Sequence, residues 1–511
     1  MAVLSIEPLQ QKEKDPPDAD MPSHLAPLLL ISPLSADTAG ATPRYYQLYQ
    51  RIKFLILNNQ LQPGAKLPST RALSCELALA RNTVLRAYEQ LQAEGFIIAT
   101  PRGSVVSEVL AGDELSAGEI TGPRYRLSLR GKQIAAEAAP SAPGKCHPGI
   151  PCLSAFPTTR WRRALLSASR QVQYCQESSP AGDIALRTAI SHHVAFTRGV
   201  KCHPGQIVIT EGSRQAFQLC LTLLTDAGDR VWMENPGWSG VKTAMHTANV
   251  KLIPVDVDEQ GLAPPAALWQ QETPRLIYTT PTHQYPTGAV MSMQRRQTLL
   301  HQAIQRGAII IEDDYDSEFR YHGAPVPAMQ GQMQNAPVIY IGSFSKTLFP
   351  ELRVAFMVFP TALLALLNVP LQRLLNGGPS RHIQLTLADF IRAGHFATHI
   401  GKMRKLYRQR RQALSAGLLG LCPRQYALSS QPCGMHIILY FLQRRDDVDV
   451  VRRLRHRGIT PIALSTLYHG AARRYGLLLG FGNISVDEIS RLIPHIQRAL
   501  NTMEGDQLPA P

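Results

Sequence analysis

At 511 residues, 44% hydrophobic and 18% charged, the chain is too long for one ordinary domain and rich enough in apolar residues for large cores, so two or three globular units are expected. The net charge of +15 favours a polyanionic partner, without separating nucleic acid from an anionic membrane surface. Eight scattered cysteines with no C-x-x-C pair favour reduced thiols over a disulfide or zinc framework, and no apolar run approaches a membrane span.

Residues 1–42, rich in Pro, Ala and Asp, read as a flexible extension. Within it "LAPLLLI" (Leu25 to Ile31) is too short and too proline-broken for a signal peptide, so a cytoplasmic location without metal or membrane is expected. A compact patterned block follows over 43–107. "YYQLYQRIKFLILNNQL" has helical periodicity, "QPGAKLPS" is a turn, and "STRALSCELAL" is a short helix capped by Ser69 or Thr70. "ARNTVLRAYEQLQAEG" is a third helix that stops at Gly95, and "FIIATPRGSVVSEV" is two short strands about a Pro-Arg-Gly turn.

Three helices and a hairpin predict a winged helix-turn-helix, mainly α with a β wing. The helix starting near Asn82 would enter the major groove, with Arg81, Asn82 and Thr83 nearest the bases and Arg71 on the preceding helix. Lys66 and Arg86 suit phosphate contacts, and Arg102 with Gly103 at the wing tip suits a minor groove. The plain alternative is a small helical domain with solvated arginines. "LPSTRAL…LALARNTVLRAYEQLQAEGFI" closely resembles the DNA-binding domain of GntR-type bacterial transcription regulators, from Tyr45 to Val106. The wing departs from the usual Gly-x-Gly-Thr-Phe-Val of that family, reading "PRGSVV" here.

Residues 108–145 lose periodicity and fill with Gly, Ala, Ser and Pro, as a linker does. From 146 to 505 short apolar runs ("QIVIT", "DRVWM", "RLIYTT", "GAIIIEDD", "PVIYIGS") alternate with helical patterns. That alternation predicts a large α/β unit with a mainly parallel sheet. Residues 506–511 are a tail. "KCHPG" occurs at Lys145 and again at Lys201, an echo read as chance. "KMRKLYRQRRQAL" has Met403, Leu406, Tyr407 and Leu414 at helical spacing, which favours an amphipathic helix with a solvated basic face over a second nucleic-acid surface.

Chemistry concentrates at the ends of the apolar runs. "GSFSKTLFPELR" places Lys346 after a strand among Ser343, Ser345 and Arg353, a set suited to a phosphorylated aldehyde held as a Schiff base. "VITEGSRQAF" puts Ser213, Arg214 and Gln215 at a helix start, a ready anion site. "ENPGW" ends on Trp238, whose indole could stack on a flat ring, and "IIIEDDYDSEF" supplies Asp313 and Tyr315. Pyridoxal phosphate needs a carboxylate at its pyridine nitrogen and a donor at its phenolic oxygen. Each feature alone has a cheaper explanation: a surface lysine, solvated or metal-binding acids, a core tryptophan. Together, at successive strand ends where open α/β sheets bind ligands, they point to one site.

"HPGIPCLSAFP", "ENPGW", "TPTHQYPTG", "IEDDYDSEFRY", "SFSKTLFPELR" and "HIGKMRKLYRQRR" make this block resemble a fold-type I, class I aminotransferase-like domain. Behind a GntR-type winged helix, the whole resembles the MocR (GabR-like) regulators. The resemblance implies that Lys346 is the internal-aldimine lysine, Asp313 the partner of the pyridine nitrogen and Tyr315 that of the phenolic oxygen. It makes Trp238 the stacking residue and puts Arg353, Ser343 and Ser345 in the phosphate cup. Tyr285 stands where aminotransferases commonly have the Asn of "NPTG". A homodimer that binds promoter DNA and senses pyridoxal phosphate, an amine or an amino acid is implied, with a working aminotransferase as the alternative. Leu478, in "YGLLLGFGN", replaces the arginine that fixes a substrate carboxylate, which disfavours α-amino acids unless Arg473 or Arg474 substitutes.

Overall fold

A computed structural model describes residues 42–101, 103–107, 126–135, 143–171, 179–375, 377–421, 425–430 and 433–501. The extension up to residue 41, Arg102, most of the linker and the 506–511 tail lie outside the described residues. The described residues form two compact units, one on each side of residue 125.

In the small unit, α1 (Arg44–Leu57) buries Leu48, Tyr49, Ile52, Leu55 and Ile56, the one-sided spacing of an amphipathic helix. Next, α2 (Thr70–Glu76) starts at Ser69, whose hydroxyl accepts the Ala72 N–H at 3.1 Å. Then α3 (Arg81–Ala93) buries Val84, Ala87, Tyr88 and Leu91 against α1. Gly95, at φ +79°, takes the left-handed turn that releases the chain into the hairpin. Strands β1 (Ile97–Thr100) and β2 (Gly103–Val106) pair antiparallel, so Ile97 and Val106 close the core from below. Lys53 and Tyr49 on α1 both bond Glu94 beyond the end of α3.

The large unit opens with α4 (Leu129–Ala135), inside the stretch read as linker, where Arg130 donates to the Thr247 carbonyl at 2.8 Å. Next come α5 (Thr158–Ser169), α6 (Ile184–Arg198), β3 (Ile207–Thr210), α7 (Ser213–Leu224), β4 (Arg230–Asn235), α8 (Ser239–Ala248), β5 (Lys251–Asp258) and β6 (Gly261–Leu262). Strand β7 (Leu276–Thr279), α9 (Met293–Arg306), β8 (Ile309–Asp314), β9 (Val338–Ser343) and β10 (Ala355–Val358) complete an eight-stranded sheet of order β3-β10-β9-β8-β7-β4-β5-β6. From β9 across to β5 neighbouring strands are parallel, and the antiparallel pairs involve β3, β10 and β6.

The central strands are buried on both faces, which is why they read as unbroken apolar runs. Successive residues still point opposite ways: Ile277, Ile310 and Val338 pack with Trp232 and Leu299, while Tyr278, Ile311 and Ile339 pack with Phe217 and Met245.

After α10 (Thr361–Leu374) and α11 (Arg381–Arg392), the long α12 (His395–Leu419) carries the basic segment. It buries Met403, Tyr407 and Leu414 as the spacing predicts. Part of its charge is structural: Arg408 donates to the Tyr321 carbonyl at 2.8 Å, and buried Arg410 reaches Cys152 Sγ at 3.2 Å. A four-stranded antiparallel sheet, β11-β12-β14-β13, is built from β11 (Tyr426–Leu428), β12 (His436–Phe441), β13 (Ile462–Ala463) and β14 (Tyr475–Gly480). No helix among the described residues is long and apolar enough to cross a membrane.

Candidate functional site

A cavity of about 570 Å³ opens where β3, β4, β7, β8 and β9 end. It is lined by Ser213, Arg214, Trp238, Tyr285, Asp313, Tyr315, Ser343, Ser345, Lys346 and Arg353, so segments far apart in sequence converge there.

The acids leaving β8 are divided among separate partners. Glu312 accepts the backbone N–H groups of Met329 and Gln330, Asp314 pairs with Arg198 at 2.7 Å and accepts from Tyr340, and Asp316 pairs with His283. Among the described residues no cluster of His, Cys, Asp or Glu could hold a metal ion. Asp313 differs from the rest. Tyr278 donates to its Oδ2 at 2.5 Å, but its buried Oδ1 has no partner among the described residues. Burial pushes this carboxyl up to about 7, against the lowering effect of the Tyr278 hydroxyl. An unpartnered buried carboxylate oxygen on a cavity wall fits a ligand that brings an N–H, as a protonated pyridine ring does.

Lys346 follows β9 and the Ser343–Ser345 turn, where the Ser345 N–H donates to Ser343 Oγ at 3.2 Å. Burial lowers its pKa, against the raising effect of Asp316 and Asp313, so the neutral amine is more accessible than on a surface lysine. The chain passes close: a Cβ on Gly149, at φ +74°, would lie 2.8 Å from Nζ. Only glycine accommodates both that backbone and that approach.

Another side of the cavity is formed by the start of α7, whose N-cap Gly212 leaves the first N–H groups of the helix free of any side-chain cap, an arrangement suited to an anion. Ser213 and Arg214 lie there with Ser343, Ser345 and exposed Arg353, which sits 3.5 Å from Glu351. Gln215 departs from expectation. It does not line the cavity, because its side-chain oxygen turns back to accept the Glu211 N–H at 2.6 Å. Trp238 is at the N-cap of α8, and any side chain on Gly240 would collide with its indole. The residues present therefore fit a pyridine ring with a phosphate arm.

Sequence reasoning missed several residues on or behind this wall. His283, in "TPTHQYPTG", and Asp316, in the acid cluster, form a buried pair whose imidazole also meets the Tyr315 hydroxyl at 2.9 Å. Tyr278 sits inside an apolar strand, where nothing in the pattern marks it as polar. His147 of the first "KCHPG" lines the cavity, donating from Nδ1 to the Thr460 carbonyl at 3.2 Å. His203 of the second caps a 3-10 turn, so the echo carries no shared role. Glu234 is a buried hub taking donors from Thr279, Thr280 and Gln284, which fixes the loop that presents Tyr285.

The suggested carboxylate anchors are not at the cavity. Leu478 is buried opposite Ile438 in an apolar cluster with Leu464 and Tyr468. Arg473 pairs with Asp256 at 2.7 Å, and the Arg474 guanidinium lies 5.4 Å from the Tyr440 ring centre.

On the small unit, Arg81 and Asn82 are exposed in the first turn of α3, with Thr83 half-buried behind them and no acid in that turn. Arg71 on α2, Arg86 one turn into α3, Lys66 and Gly103 are exposed as well, and Arg102 lies outside the described residues. Lys66 bridges to Val105 of β2, which ties it to the hairpin.

Two family models match the chain: "Bacterial regulatory proteins, gntR family" over residues 44–106 and "Aminotransferase class I and II" over residues 150–463. The probable rhizopine catabolism regulatory protein MocR of Rhizobium meliloti is 34% identical, covering 92% of this chain and 97% of that protein. The pyridoxine biosynthesis transcriptional regulator PdxR of Corynebacterium glutamicum is 30% identical, covering 93% and 100%. Among solved structures, the α-aminoadipate aminotransferase LysN of Thermus thermophilus, complexed with N-(5'-phosphopyridoxyl)-L-leucine, superposes with a TM-score of 0.64 at 25% identity, covering 70% of this chain and 92% of that one.

Proposed function

Because the chain belongs to the gntR family of bacterial regulatory proteins, in the MocR-type branch that carries a class I and II aminotransferase domain, we propose that it is a cytoplasmic, homodimeric transcription regulator whose large unit binds pyridoxal phosphate and whose winged helix binds promoter DNA. The observation that carries the cofactor assignment is the buried, partnerless Oδ1 of Asp313 on the same cavity wall as Lys346.

Bound there, the cofactor supplies an aldehyde that captures amines and a ring that withdraws electrons. The protein's part is binding and protonation. Asp313 holds a proton at the ring nitrogen, Trp238 covers the ring, and Tyr315 donates to the phenolic oxygen. The α7 N-terminus, Ser213, Ser343, Ser345, Arg214 and Arg353 take the phosphate dianion. Lys346, whose pKa burial lowers, would be the nucleophile toward the aldehyde.

The second ligand in this reading is pyridoxal phosphate itself or an amine rather than an α-amino acid, since Leu478 offers no guanidinium and Arg473 and Arg474 are engaged elsewhere. Occupancy of the large unit then alters how the winged helix engages its operator, and the large unit serves as a sensor rather than as an enzyme that turns over.

The test is a visible spectrum of the purified protein with and without added pyridoxal phosphate, then with primary amines and amino acids of matched length. A visible band absent from Lys346→Ala, together with operator binding that responds to the cofactor or to one amine, supports the proposal. Absence of a band refutes the cofactor assignment, and steady release of an oxo acid refutes the sensor role.

A further inference from the structure

Behind the cavity wall, His283 stands with Nδ1 at 2.9 and 3.1 Å from the two carboxylate oxygens of Asp316 and at 2.9 Å from the Tyr315 hydroxyl. His283 and Asp316 are 4% and 2% exposed. An ionised carboxylate accepts hydrogen bonds and cannot donate them, so the hydrogen between these groups belongs to Nδ1. Facing a donor, the Tyr315 oxygen must accept there. Its own hydrogen is then directed away from His283, and the phenol lines the cavity.

Burial alone would push the imidazole down, but Asp316 and the hydrogen-bonded Cys433 together outweigh it and hold His283 well above its ordinary value. Gly434 (φ +79°) lies against the imidazole, and a Cβ there would collide with its Cε1, so the ring occupies space that only a glycine leaves open.

Other titratable groups face this pair as well. His436, 5.5 Å away between ring centres, donates from Nε2 to the Pro286 carbonyl at 2.8 Å and is pushed down to about 4 by burial and by His283. The Cys433 thiol faces His283, Tyr285 and Asp313 face Tyr315, and Lys346 faces Asp316.

We propose that the His283–Asp316 pair is a positioning device that fixes Tyr315 as a hydrogen-bond donor into the cavity, selecting ligands that present an anionic oxygen at that point. This rests on the reading of the cavity as a pyridoxal phosphate site, whose 3-oxygen is the acceptor. His283 and Asp316 need not touch the ligand: they act through the tyrosine.

The experiment titrates the full-length protein, loaded with pyridoxal phosphate, against pH and follows the visible band in wild type, Tyr315→Phe, His283→Asn and the His283→Asn/Tyr315→Phe pair. The expected result is that each single change raises the midpoint by about one pH unit, a tenfold change in proton affinity, and that the double variant moves no further than Tyr315→Phe. Unmoved midpoints in variants that still bind the cofactor, or additive shifts in the double variant, overturn the proposal. A check that needs no variant uses 3-deoxypyridoxal phosphate on the wild-type chain: about tenfold weaker binding than pyridoxal phosphate is expected, and equal affinity overturns the proposal. A wild type with no visible band at all fails the cofactor reading itself, a result distinct from a band whose midpoint ignores His283.

Discussion

Tyr278 donates its hydroxyl hydrogen to one oxygen of Asp313 and leaves the other without a protein partner. One side chain thereby fixes which oxygen remains for a ligand and limits how far burial can raise the carboxyl. Tyr278→Phe should raise the Asp313 pKa further and weaken pyridoxal phosphate binding about tenfold at neutral pH, the scale of one lost hydrogen bond to a charged group. Cofactor titration by absorbance or fluorescence measures it.

The same carboxyl makes the ligand-free protein sensitive to pH. Its folded value of about 7 lies above the unfolded value of 3.8. The unfolded chain therefore loses the proton first as pH rises, and the contribution of this group is full below 3.8 and lost by about 7. Three units correspond to an upper bound of about 4 kcal/mol. Thermal melts between pH 4 and 7.5 should show the ligand-free protein losing stability across that window relative to Asp313→Asn, and the cofactor should flatten the loss.

Gly149→Ala should fold, since residue 149 lies at the cavity rather than in the core, yet bind pyridoxal phosphate at least about tenfold less well. The new methyl meets Lys346 Nζ at 2.8 Å on a backbone of φ +74° that alanine adopts only with strain. Retained far-UV circular dichroism with a weakened visible band is the expected pair of observations.

DNA binding should fall steeply with salt, as several phosphates are neutralised at once. Arg81→Ala should cost about 1–3 kcal/mol on the operator and little on unrelated DNA, whereas Lys66→Ala should weaken both and lower the salt slope by about one. Electrophoretic or anisotropy titrations at two salt concentrations separate these patterns.

Ser69→Ala removes the single side-chain cap on α2. A loss of about 1 kcal/mol in the stability of the small unit is expected. Chemical denaturation followed by a probe in that unit reads it, and Ser69→Gly should restore most of the loss.

Much of this was legible in the sequence because it is written in local patterns. The double-sided burial of β7, β8 and β9 appears as "RLIYTT", "GAIIIEDD" and "PVIYIGS", and the Lys346 turn and the α7 start follow strands directly. What escaped depends on partners distant in sequence. His283 acquires its role only when the β7 loop meets Asp316 after β8 and Gly434 before β12, and nothing local marks it. Gln215 shows the complementary case: it stands at the helix start as expected, but a contact four residues back claims its side chain. Arg473 and Arg474 were near the correct strand, and Asp256 and the Tyr440 ring took them instead.

The cavity wall draws on the chain from residue 147 to residue 462. A molecule seated there acts as a keystone, since segments far apart in sequence share its binding energy. At a concentration one hundred times its dissociation constant it would add about 2.7 kcal/mol to the unit's resistance to unfolding. Scarcity of the ligand would then register twice over, once in how the winged helix meets DNA and again in how long each copy of the protein survives proteolysis.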